Sequence, residues 1–144
     1  PFNLDAWDGF PAARDRLYAS AKDAGARLVT LTGDTHTAWA NTLVDGDGER
    51  RGVAFGCTSV TSPGLGLYIK EVPDLGAQFV EANPEVDFYD PFGNGWTLVT
   101  LTKDEVTADY RKVTDVTQQV YEVTDVAIYK SAFTNEGLTP LSKL

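Results

Sequence analysis

Arg27-Leu28-Val29-Thr30-Leu31-Thr32-Gly33-Asp34-Thr35-His36 opens as a leucine-rich, β-branched run and closes on a glycine and three polar residues. The run predicts a buried strand from Arg27 to Thr32, and Gly33 ends it. Polar residues immediately after a buried strand sit on a loop at the strand end, where chemistry is usually carried. Upstream, Pro11 to Ala24 predicts a helix: Pro11 suits the first turn, Leu17, Ala21 and Ala24 share one face, and Gly25 is a stop signal. A helix followed by a buried strand is the start of an α/β layer.

Downstream, Trp39 to Val44 and Gly52 to Cys57 predict a hairpin across Asp45-Gly46-Asp47-Gly48. Pro63, Gly64 and Gly66 prevent a ladder through Ser59 to Gly66, and Pro73 to Ala82 predicts a short surface helix closed by Asn83-Pro84. Val86 to Tyr89, Gly95 to Thr102, Val106 to Lys112 and Gln119 to Tyr129 predict four more strands. Asn94-Gly95 and Lys103-Asp104 are read as the turns joining the first three of these, and Ser131 to Leu144 as a loosely packed tail. The resulting fold class is α/β, mainly mixed or antiparallel sheet with one N-terminal helix.

The chain has 144 residues, 42% of them apolar and 11% aromatic, enough for one packed domain and too many core formers for disorder. Twelve basic against 21 acidic side chains give a net charge of -9, which argues against a nucleic-acid or anionic-membrane partner. No run approaches the roughly 18 to 20 apolar residues that span a bilayer. The one cysteine, Cys57, allows no internal disulfide and is read as a small core residue. The chain starts at Pro1 and contains no methionine, so a segment upstream of it is expected.

Asp34 and His36, two apart in a turn, can aim an oxygen and an imidazole at one cation; the alternative is a loop-capping Asp34 and a satisfied, partly buried His36. Asp8 precedes the first helix and can either cap its free N–H groups or serve as a hard oxygen ligand. Asp45 and Asp47 have calcium-loop spacing without the frame of an EF-hand, which favours a solvated hairpin tip. Ser59 and Ser62 offer hydroxyls, but a serine hydrolase would need His36 beside one of them.

Taken in order, Asp5-Ala6-Trp7-Asp8-Gly9-Phe10-Pro11, Gly33-Asp34-Thr35-His36-Thr37-Ala38-Trp39 and Thr58-Ser59-Val60-Thr61-Ser62-Pro63-Gly64 resemble the C-terminal motifs of PhoD-type alkaline phosphatases and phosphodiesterases. Asn94-Gly95-Trp96 and Val106 to Arg111 resemble that family's closing strands, so the likeness runs from about Asn3 to Val116. It implies that residues 1–130 are the C-terminal part of a four-layer αββα metallophosphoesterase catalytic domain, with 131–144 as its tail. It also implies metal-dependent hydrolysis of phosphate esters and a periplasmic or secreted location. Asp8 and His36 are implied metal ligands, and Asp34 is a third candidate where the wider superfamily usually has histidine. Fe3+ and Ca2+ are the implied ions, with other divalent metals as alternatives.

The family's bridging aspartate and its Gly-Asn-His-type motif have no counterpart here. The resemblance therefore makes the upstream part of the same enzyme a partner, expected to supply both the missing ligands and a second sheet against this segment's strands. The rival reading from composition is a non-catalytic, acidic, β-rich module binding calcium or carbohydrate.

Overall fold

The computed structural model describes residues 6–69 and 71–144; Asp5 of the first motif lies outside them. Helix α1 runs Pro11–Asp23, with proline in its first turn. It ends as glycine stops do: Gly25 adopts φ +60°, Gly25 N donates to Lys22 O at 2.9 Å and Ala26 N to Ala21 O at 2.8 Å. Strands β1 (Leu28–Thr32), β2 (Ala38–Val44), β3 (Arg50–Gly56) and β4 (Val86–Asp90) form one sheet in the order β1-β3-β2-β4. β1 pairs with β3 in parallel, and β2 pairs with β3 and β4 antiparallel. Helix α2 (Leu75–Ala82) packs on β4.

Strands β5 (Gly95–Leu101), β6 (Glu105–Val113) and β7 (Val123–Thr134) form a second, antiparallel sheet, extended along β7 by β8 (Gly137–Leu138) and β9 (Ser142–Lys143). The architecture is thus mixed α/β, as the sequence implied. One expectation fails: the sheet facing β1 to β4 comes from this chain's own β5 to β9. Ala38, Ala40, Val53 and Phe55 of the first sheet share one core with Val106, Ala108, Tyr110, Ala127 and Tyr129 of the second. Alternation along each strand does this, because successive side chains point to opposite faces. On the first sheet's other face, Trp39 stacks on Tyr89 with ring centroids 4.0 Å apart and meets Phe79 of α2 at 5.9 Å.

Two further expectations are corrected. β4 and β5 do not form a hairpin at Asn94-Gly95. Asp90 Oδ1 accepts from Phe92 N and Gly93 N, turning the chain out of the first sheet, and β5 begins the second. Nor do the residues after Ser131 hang loosely: β7 continues to Thr134, Leu138 and Leu141 join the core, and Ser131 Oγ donates to Thr139 O at 2.7 Å. Arg27 and Arg50 fasten this segment to the first sheet by donating to Thr134 O (2.9 Å) and Leu138 O (2.8 Å).

Two tyrosines clamp the sheets together at their polar ends. Tyr110, 2% exposed, lies 4.9 Å from Phe88 and donates its hydroxyl to Trp39 O, while Tyr129 donates to Asp87 O at 3.1 Å. Burial pushes both phenols up, so each stays a donor. Such aromatic pairs add about 0.5–1.5 kcal/mol beyond their area burial.

Burial also pushes the Asp87 carboxyl up, only partly offset by the 2.8 Å hydrogen bond from Thr42 Oγ1. A raised folded-state pKa means that ionisation opposes folding at neutral pH and that the penalty disappears as the group is protonated. Asp87→Asn should therefore raise the melting temperature at pH 8, with a gain that shrinks toward pH 4. Thermal melts at the two pH values check this; an equal change at both would show that the carboxylate charge is not the cause.

Candidate functional site

The connection from β1 to β2 is conformationally unusual. Thr35 N donates to Gly33 O at 2.9 Å, closing a three-residue turn around Asp34, whose φ is +70°. His36 follows at φ +55°. Two non-glycine residues in the left-handed region within three positions cost about 1–3 kcal/mol each and persist only where the surroundings impose them. Strain of this kind clusters at functional sites.

What imposes it is visible on both sides of His36. Thr37, 1% exposed, donates to Thr35 Oγ1 at 3.0 Å, and Trp39 Nε1 donates to Thr37 Oγ1 at 2.7 Å and Thr35 Oγ1 at 3.1 Å. From across the chain, Thr58 Oγ1 donates to Gly93 O at 2.6 Å and lies 3.2 Å from His36 O. Gly64 passes so close that any Cβ there would overlap His36 O, which makes glycine a requirement of this approach. The half-buried His36 ring meets Pro63 O through Nδ1 at 3.1 Å. A carbonyl can only accept, so Nδ1 carries the hydrogen in this contact, and in the neutral ring the Nε2 lone pair is the one open to a ligand.

Asp8 sits in a single 3₁₀ turn, Trp7–Gly9. The capping role that sequence allowed it is not realised: Phe10 is the N-cap of α1, and no side chain bonds there. Asp8, 68% exposed at its side chain, instead pairs with Arg14 at 3.1 Å. Asp8 and Asp34 line one cleft of about 630 Å³ between α1 and the helix-facing side of the first sheet, shared with Thr32, Arg14, Tyr18 and Asn41. His36 is not among the residues lining it. Asn41 Oδ1 is buried there without a hydrogen-bond partner, an acceptor that sequence reading passed over because it stands in mid-strand.

The donor chemistry fits a hard or borderline cation: carboxylates from Asp8 and Asp34 and an imidazole nitrogen from His36. The number of donors does not complete a site, since among the described residues no three His, Cys, Asp or Glu side chains converge on one point.

Two rival arrangements lose support. Asp45 Oδ1 accepts from Asp47 N (3.0 Å) and Glu49 N (2.9 Å), and Oδ2 from Arg51 Nε at 2.6 Å, so this carboxylate is already occupied in fastening the hairpin. Ser59 Oγ donates to Ser62 O and accepts from Asn94, while the His36 Nδ1 bond goes to a backbone carbonyl; among the described residues no triad forms around these serines. Cys57 is a half-buried free thiol.

Against known proteins, residues 1–110 match the PhoD-like phosphatase family. The chain is 34% identical over 122 residues to alkaline phosphatase D of Bacillus subtilis (strain 168), covering 81% of this chain and 20% of that protein. Its fold is similar to a solved structure of PhoD with a TM-score of 0.78 and 29% identity, over 97% of this chain and 26% of the other. The chain therefore spans about a fifth to a quarter of the length of these relatives.

Proposed function

Because the chain belongs to the PhoD-like phosphatase family, we propose that it contributes metal ligands to an enzyme hydrolysing phosphate esters, with His36, Asp34 and Asp8 as its share. The observation that carries this is the strained turn in which Asp34 and His36 both adopt positive φ while the Nδ1 proton of His36 is held by Pro63 O. Family membership supports phosphoester chemistry, the turn supports Asp34 and His36 as part of the centre, and the cleft shared with Asp34 supports Asp8.

The ions, Fe3+ and Ca2+ in this reading, would supply charge to the phosphate oxygens and lower the pKa of a coordinated water. This chain's residues do the placing. His36 offers Nε2 in a fixed tautomer, Asp34 offers a carboxylate at the end of β1, and Asp8 stands in the same cleft as Asp34 with Arg14 offsetting its charge. The remaining ligands would come from the rest of the enzyme, which is the chain's partner in this proposal. A periplasmic or secreted location belongs to the same reading; no helix among the described residues is long and apolar enough to cross a membrane.

The test is metal removal from the whole phosphatase carrying this chain. Chelation should abolish hydrolysis of a chromogenic phosphate ester, and iron with calcium should restore it. Hydrolysis that persists at its original rate after the metals are shown to be gone would overturn the proposal.

A further inference from the structure

We propose that Asn94 is a positioning residue for the His36 imidazole: its side-chain amide holds the 59–63 loop so that Pro63 O takes the Nδ1 proton and Nε2 is the nitrogen presented to a ligand. This rests on the reading of His36 as a metal ligand, and it names how the chain selects the ligating nitrogen.

Asn94 lies between the two sheets in sequence, just after the turn that leaves β4. Its backbone is fixed to the second sheet, since Val113 N donates to Asn94 O at 2.9 Å. Its amide nitrogen reaches the loop at Ser62 O (2.8 Å), Ser59 Oγ (2.9 Å) and Ser59 O (3.3 Å). Both carbonyls are acceptors, so the nitrogen and not the oxygen of the amide must face them. Its two hydrogens serve the two shorter contacts, and Ser59 Oγ, having accepted one, donates its own hydrogen to Ser62 O. Gly95 N adds a backbone bond to Ser59 O at 3.0 Å.

Ser62 directly precedes Pro63, the residue whose carbonyl meets His36. Pro63 has no N–H and a fixed φ, so holding Ser62 places the Pro63 ring and carbonyl carbon, while Gly64, packed against His36 O, fixes the far side of that carbonyl. Asn94 thus acts one residue away from the contact that matters, through a loop with no ladder of its own. A neutral imidazole free in water favours the proton on Nε2. Selecting the other tautomer requires an acceptor fixed at Nδ1, and an outer partner of this kind orients a ligating histidine.

His36 is the only histidine of the 144 residues, so its ring nitrogens give one assignable pair of ¹⁵N signals. The experiment is long-range ¹H–¹⁵N NMR of the metal-free chain at a pH where the imidazole is neutral, for the parent, Asn94→Asp and Asn94→Ala. Asn94→Asp keeps the shape and loses both donors. The parent should carry its proton on Nδ1, and both variants should lose that preference toward Nε2–H. A parent ring protonated on Nε2 overturns the proposal without any variant. So does an Asn94→Asp ring that keeps the parent tautomer, because a purely steric role for Asn94 predicts that result. Addition of Zn2+ then separates the two claims: a shift confined to Nε2 in the parent supports ligation. A Zn2+ shift at Nδ1 instead overturns the positioning, and the ligand role itself is tested apart from it by the turnover of His36→Ala in the whole phosphatase.

Discussion

His36→Ala in the whole phosphatase should lower phosphate ester hydrolysis by at least about 100-fold, whereas Cys57→Ala should leave it near the parent rate. Loss of a partner that merely orients a ligand costs about 10–100-fold in metal affinity or activity, so loss of the ligand itself should cost no less. Stability should distinguish the two variants poorly. Alanine at position 36 would occupy the same positive-φ backbone, and the only described side-chain bond lost is the one to Pro63 O, worth about 0.5–1.5 kcal/mol. Cys57→Ala removes a half-buried sulfur, a change of similar modest size. Initial rates beside thermal melts separate the cases. A His36→Ala enzyme with parental turnover removes His36 from the centre, and one that melts far below Cys57→Ala would make the loss a folding effect.

Local signals in this chain decide the structure where the residues on the spot determine the outcome. Pro11 and Gly25 bound α1, and the Asp-Gly pairs from Asp45 to Gly48 turn β2 into β3. Period-two alternation marks β6 clearly, yet it says only that one face is covered and not by what. The pattern therefore leaves open whether the covering sheet comes from outside the chain, and in the structure β5 to β9 supply it. Asn94-Gly95 is a strong hairpin signal taken alone. Here the asparagine side chain bonds 35 residues back to Ser59, a contact that no local pattern encodes.

The candidate site divides the same way. Asp8, Asp34 and His36 stand out as candidates in the sequence because their order and spacing match a motif. The positive φ of Asp34 and His36 does not, since neither is glycine and the strain comes from Thr37, Thr58 and Gly64 packed around them. The choice of ring nitrogen depends on the Pro63 carbonyl, and a backbone group leaves no mark in the residue alphabet.

The second large effect follows from coordination number. Calcium takes about 6–8 oxygen ligands, and transition ions about four or more donors. Asp8 and Asp34 share a cleft that His36 does not line, and no three potential ligands converge among the described residues. The chain has its own two-sheet core, so a lack of activity would reflect missing ligands and not a missing fold. The most direct measurement is turnover of a chromogenic phosphate ester by the purified 144-residue chain in iron and calcium, beside the whole phosphatase, with mass spectrometry verifying that no other fragment is present. The account predicts no turnover above the metal-only blank for the chain and metal-dependent turnover for the whole enzyme. Robust turnover by the clean, folded chain would contradict the claim that it holds only a share of the metal centre.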